Sequence, residues 1–335
     1  MRYVFTLILL MSATLAGAAD WEDQQVFNPG DGRQVLRVIS NTDTSVFLPI
    51  LEGYLAKNPD VSIAYFVASS QEVYERFRNA PEQFDLVISS AMDLQLKLVN
   101  DGFAQRVENV PHPSWAQWRE SLFGFTREPA AIVINRDAFS GLAIPRSRQE
   151  LIEILRAHPD RFRARAGTYD IRQSGLGYLF ATQDARASET YWRLMEVMGS
   201  LQARLYCCSG DMIDDLASGK LAVSYNVLES YVSARTDIPE TIQVILPSDF
   251  PTTMMRTVFV AREAPSFQQA IDFVKYLSAT TLRGPDLDRF ALPALGMGAN
   301  LGAQSTITLD PGLMIFLDDL KRRTFIAEWE NAVIQ

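Results

Sequence analysis

Histidine and cysteine are nearly missing from this 335-residue chain, which has two of each. His112 and His158 are each followed directly by proline in loop-like sequence, which argues against a serine–histidine triad. No His/Cys/Asp/Glu cluster has metal-ligand spacing. No G-x-S-x-G elbow, Walker A loop, H-E-x-x-H or C-x-x-C occurs either. The expectation is therefore no catalytic residue, no cofactor and no metal, with an enzyme the weakest reading. Cys207 and Cys208 are adjacent, so they cannot staple distant parts of the chain. A vicinal disulfide and a pair of reduced thiols both stay open. A cluster of basic residues is also lacking: 31 Lys and Arg face 40 Asp and Glu, for a net charge of -9. That balance argues against nucleic acid or an anionic membrane surface as partner. It does not exclude a small anionic ligand, because local donors outweigh a distant mean field.

What is present begins with a targeting signal. Arg2 precedes the short apolar run Tyr3 to Met11, and small residues follow from Ser12 to Ala19. This is the layout of a secretory signal peptide, cleaved near Ala18 or Ala19, and it implies a periplasmic protein. The run falls well short of the ~20 apolar residues of a membrane span, and no second long apolar stretch follows. The remaining ~316 residues exceed a single small core, so two lobes are expected.

Strand, polar loop and helix then alternate. Val35 to Ile39 is a β-rich run ending in Ser40, Asn41 and Thr42, and Phe47, Ile50, Leu51, Tyr54 and Leu55 follow at helical spacing. Ser62 to Ala68 runs into Ser69 and Ser70 before a helix over 72–78, and Asp85 to Ile88 runs into Ser89 and Ser90 before one over 94–100. Such repetition predicts an α/β fold with a parallel sheet. Ligands of open α/β sheets bind outside the carboxyl ends of the strands. There the hydroxyls meet the free N–H groups of helix starts. One such serine is no more than an N-cap, but three at one sheet edge predict a polar cleft.

A second region starts with the strand Ala131 to Asn135 and a basic, helical stretch over 146–165. In Thr168 to Tyr178, Ser174 is placed to cap a helix starting near Gly175, where glycine permits close backbone approach. Arg172 stands beside that cap. It can meet an anion there, or pair with Asp170. Ser209 and Gly210 precede a helix over 212–218. Leu221 to Tyr225 reads as a strand carrying Asn226 at or beyond its end, and Met255 to Ala261 as one returning to the first lobe. A helix over 265–278 and a helical tail over 313–334, anchored by Trp329, complete the pattern.

In this order the motifs resemble the type II periplasmic solute-binding proteins of ABC transporters. The branch is the one with receptors for ferric ion, hexose phosphates, aminoethylphosphonate and phosphoglycerate. The residues that carry the resemblance are Ser40 to Asp43, Ser69-Ser70 with Glu72, Phe84 to Ser89 with Asp93, and Ala131 to Asn135. Ser174-Gly175-x-Gly177-Tyr178, Tyr206-x-x-Ser209-Gly210, Leu221 to Tyr225 and the tail ending in Trp329 extend it. The resemblance implies a two-lobed fold with hinge strands near Asn135 and Arg256. Residues 20–131 and 258–300 would form lobe one and 132–257 lobe two, with 301–335 a helical tail packed on both. It implies ligand contacts from Ser40, Asn41, Thr42, Ser70 and Ser89 in lobe one, and from Arg172, Ser174, Gly175, Ser209 and Asn226 in lobe two. The partner implied is an ABC permease of the inner membrane, or the periplasmic domain of a sensor kinase, served by a monomer. Ferric receptors of this branch carry adjacent tyrosines where this chain reads Tyr225-Asn226, so ferric ion becomes a minor alternative. A carboxylate, organophosphate or polyol suits the hydroxyl- and amide-rich loops better.

Overall fold

The computed structural model describes residues 21–27, 34–283, 292–295 and 306–334. The signal segment expected over 1–19 lies outside the described residues. Among them, no helix is long and apolar enough to cross a membrane.

Runs buried on both faces make the central strands of lobe one. β1 (Asp23–Phe27) lies antiparallel on the edge; β2 (Gln34–Ser40), β3 (Val61–Val67) and β4 (Leu86–Ser89) are mutually parallel. Parallel neighbours need crossover connections. Helices α1 (Thr44–Lys57) and α2 (Ser70–Asn79) provide them, and α3 (Met92–Asn100) follows β4. A short hairpin, β5 (Gln117–Trp118) and β6 (Leu122–Gly124), ends this part.

Lobe two is built on β7 (Glu128–Asn135). Helices α4 (Arg148–Ala157) and α5 (Pro159–Phe162) lead to β8 (Ala166–Tyr169), α6 (Gly175–Ala187) and α7 (Thr190–Ser200). Then come β9 (Arg204–Tyr206), α8 (Ser209–Ala217), β10 (Val223–Leu228) and α9 (Glu229–Ser233). β11 (Ile242–Ile245) and β12 (Thr253–Met254) both pair with β7, and the sheet order is β11-β7-β10-β8-β9. The chain then returns. β13 (Thr257–Val260) inserts antiparallel between β4 and β6, giving a lobe-one order of β1-β3-β2-β4-β13-β6-β5. Both sheets are thus mixed, where the repeated strand–helix pattern predicted parallel pairing alone. The strands that cross between the lobes run against the parallel set.

α10 (Phe267–Arg283) packs on lobe one beside α1, and α11 (Asp319–Val333) packs against α7 of lobe two. Trp329 of α11 is fully buried. α7 and α11 meet closely at Gly199, where an added Cβ would run into the Ala332 carbonyl oxygen. Each lobe has its own apolar core, and a third cluster joins Leu94 and Met92 of lobe one to Leu176, Phe180 and Met212 of lobe two. The lobes are therefore closed on one another.

Candidate ligand cleft

The carboxyl ends of β2, β3 and β4 face the N-terminal ends of α6 and α8 across a cleft between the lobes. It is lined by Asn41, Asp43, Ser69, Ser70 and Ser90 from lobe one, with Glu22 beside them. Tyr169, Ser174, Cys207, Cys208, Ser209 and Tyr231 line it from lobe two, and Arg256 from the return strand segment. About 40 Å³ is open to the centre of a water molecule, which is space for a few waters. Polar contacts seal the closure: the Leu176 N–H donates to Ser70 Oγ at 3.0 Å, and the Asp43 N–H donates to the Tyr231 hydroxyl at 3.5 Å. A Cβ at Gly175 would meet Leu94 Cδ1 at 2.8 Å and Ser70 Oγ at 3.2 Å. Glycine is what lets α6 approach lobe one so closely.

Local chemistry sets the helix starts. Ser69 accepts from the Glu72 N–H while Glu72 reaches back to the Ser69 N–H, a reciprocal cap on α2. Ser174 Oγ accepts from the Gly177 N–H and caps α6. The cap position of α8 is Cys208, whose side chain makes no cap hydrogen bond. The first N–H groups of α8 therefore stay available, with the partial positive charge of a helix start.

Four of the ten expected contact residues, Asn41, Ser70, Ser174 and Ser209, line the cleft. Asn41 donates to Ser90 Oγ and accepts the Ser90 N–H, tying two strand ends together. Ser209 pairs with the Tyr169 hydroxyl and accepts the Leu228 N–H. Ser40, Thr42 and Ser89 are buried just behind the wall. Ser40 and Ser89 accept the Thr42 and Ala91 N–H groups, and Thr42 Oγ1 accepts from Arg256. They shape the loops rather than face the opening. Gly175 acts through its lack of a side chain.

Two expectations are corrected. Arg172 is not among the cleft-lining residues; Asp170 holds its guanidinium at 2.6 Å and 2.8 Å, and Glu330 adds a third contact at 3.2 Å. A carboxylate two residues away captures the cation before a ligand meets it. Asn226 lies inside β10, not past its end. It takes the left-handed conformation (φ 64°) at a bulge in the pairing with β7. Its amide donates to Asp184, which also accepts from Tyr225, Thr252 and Arg148 in a buried network. Asn226 thus satisfies the interior of lobe two. The two histidines are not among the lining residues, and His112 is fixed between the Gly124 carbonyl and Ser278.

The cation that does reach the cleft is Arg256. It is fully buried, forks onto Glu128 through Nε (3.1 Å) and Nη2 (3.0 Å), and donates from Nη1 to Thr42 at 2.6 Å. Glu22 and Asp43 oppose it. Both are exposed at the mouth of the cleft. Burial, followed by the neighbouring Glu72, Asp43 and Asp211, pushes the Glu22 carboxyl up to about 7. Burial likewise raises Asp43, and Arg256 partly offsets it. Burial also raises the Tyr169 and Tyr231 phenols well above their ordinary range, so both stay protonated. Sequence reasoning missed Arg256 and Glu22. Arg256 read only as part of a strand, and its partner Glu128 lies far away in the chain. Glu22 stands just before the edge strand β1, which has no apolar pattern.

No protein family and no curated protein matches the chain. Solved structures do, and substrate-binding and periplasmic binding proteins are among them. The substrate binding protein of the ABC transporter from Agrobacterium tumefaciens is 29% identical with a TM-score of 0.86, over 93% of this chain and 98% of that one. AfuA from Actinobacillus pleuropneumoniae, solved with exogenous fructose-6-phosphate bound, is 13% identical with a TM-score of 0.71, over 90% and 99%. Iron-bound HitA from Pseudomonas aeruginosa is 12% identical with a TM-score of 0.62, over 89% and 99%. The last two are likenesses of fold alone. These neighbours are binding proteins, which favours binding over catalysis for this chain.

Proposed function

We propose that this chain is the periplasmic receptor of an ABC importer, capturing a small polar organic solute with an anionic group and presenting it to the permease. One observation carries the reading of the ligand. The starts of α2, α6 and α8, with the Ser70, Ser174 and Ser209 hydroxyls and the buried Arg256 guanidinium, converge on a single interlobe cleft. Free N–H groups and hydroxyls there suit a carboxylate or phosphate oxygen. Glu22 and Asp43 oppose a polyanion, so a ligand of low net charge fits better. Ferric ion is disfavoured because the adjacent tyrosine pair of ferric receptors reads Tyr225-Asn226 here, and the Tyr225 hydroxyl is engaged by Arg148 and Asp184.

A thermal-shift screen over sugar phosphates, phosphonates, carboxylates and ferric salts tests this. A true ligand at a hundred times its Kd stabilises by about 2.7 kcal/mol. Stabilisation by one organic anion is expected. Stabilisation by ferric salts alone overturns the reading.

A further inference from the structure

The adjacent cysteines line the solute cleft without a role in the solute contacts described above, and in the fold they do not stand alone. A ligand atom from each of Cys207, Cys208 and Asp211 lies within 4.8 Å of the others, and Cys207 Sγ is 3.7 Å from Asp211 Oδ2. The expectation of no metal-ligand spacing rested on linear order alone. The linear spacing hides the cluster, because the first turn of α8 brings Asp211 back to the cysteines that precede the helix. We propose that Cys207, Cys208 and Asp211 form a site for one thiophilic divalent cation that exists only when the Cys207–Cys208 bond is reduced.

Three features support the site. First, both cysteines line the cleft and are only partly buried, so an ion and a reductant can reach them. Second, Cys208 stands at the N-terminal cap position of a nine-residue helix, and a helix start stabilises the thiolate that ligates a metal. Third, a second carboxylate approaches the start of α8 from across the cleft: Asp43 Oδ2 of lobe one stands 3.9 Å from where a Gly210 Cβ would lie. Two thiolates and one carboxylate suit a borderline-soft ion such as Zn²⁺. They also leave a fourth position, which the cleft provides.

In the structure the cysteines are joined as a vicinal disulfide, and disulfide sulfurs are poor ligands. A dithiol reductant supplies two electrons and two protons and closes its own disulfide, leaving two thiols. The cation then displaces both protons as two metal–sulfur bonds form. The same cleft wall would thus change from an apolar S–S surface to a metal site with the redox state of the compartment.

The full mature chain tests this without knowledge of the solute. It is reduced with a phosphine, which becomes the phosphine oxide by taking oxygen from water, then desalted without air and titrated with Zn²⁺. One equivalent should bind. Affinity should fall at least about tenfold in the oxidised protein and in the C207S/C208S variant, and several-fold in Asp211→Asn. Cd²⁺ should give thiolate-to-metal absorption in the reduced wild type and none in the oxidised. That comparison needs no variant to fold. Equal Zn²⁺ affinity of oxidised and reduced protein, or no cadmium–thiolate band after reduction, overturns the proposal.

Discussion

Arg256→Met removes the charge that allows Glu128 to be buried. Both side chains have 0% exposure. Glu128 accepts four hydrogen bonds, two from Arg256 and one each from Thr126 and Ser230. The variant keeps the two hydroxyl donors and loses both charged ones. Breaking a buried pair from one side costs about 3–5 kcal/mol, because the remaining charge is left without compensation. Glu128→Gln should cost a similar amount by stranding the guanidinium. The double variant should cost less than the two singles together, with a coupling of about 1–3 kcal/mol. Urea unfolding of the four proteins, followed by far-UV circular dichroism, measures the cycle. A loss below about 1 kcal/mol for Arg256→Met, or no coupling, would refute the view that Arg256 compensates the buried charge of Glu128.

Gly175→Ala should wedge the lobes apart, since its Cβ would press on Leu94, Ser70 and Ala91; an unchanged radius of gyration in small-angle X-ray scattering would contradict this. Arg172→Ala should cost only about 0–1 kcal/mol, because its ion pairs are partly solvated. It should also leave stabilisation by the screened ligand intact, and a lost ligand shift would return Arg172 to the cleft. Asp93 is 1% exposed, and burial raises its carboxyl to about 7. The folded chain therefore holds a proton that the unfolded chain has released, and stability falls as pH rises from the ordinary carboxylate range towards 7. Asp93→Asn should gain about 2–3 kcal/mol on the wild type between about pH 5 and about pH 8. Equal urea midpoint differences at the two pH values would disprove it.

Much of the architecture was legible because its causes are local. Apolar runs of strand length ended in serines, helical spacing followed, and Ser69, Ser174 and Glu72 announced helix starts from a few neighbouring residues. The edge strand β1 and the short strands β5, β6, β9, β11 and β12 were not legible. They are short or half-exposed, and pairing partners far along the chain define them. Asn226 illustrates the limit. A single left-handed residue turns its side chain from the expected cleft into the Asp184 network, and no pattern in Leu221 to Tyr225 signals the bulge.

From sequence alone came the class of fold, the strand ends that carry the cleft, and the adjacency of the two cysteines. Each follows from periodicity, capping or covalent order within a short window. Tertiary structure alone decided which cation faces the cleft. Both arginines are paired with a carboxylate, but Asp170 holds Arg172 away from the cleft lining, while Glu128 fixes Arg256 within it, across the whole of lobe two. It also decided that Glu22, Asp43 and Asp211 crowd one side of the opening. Charge acts through space with the distances that folding sets, and the order of residues does not contain those distances.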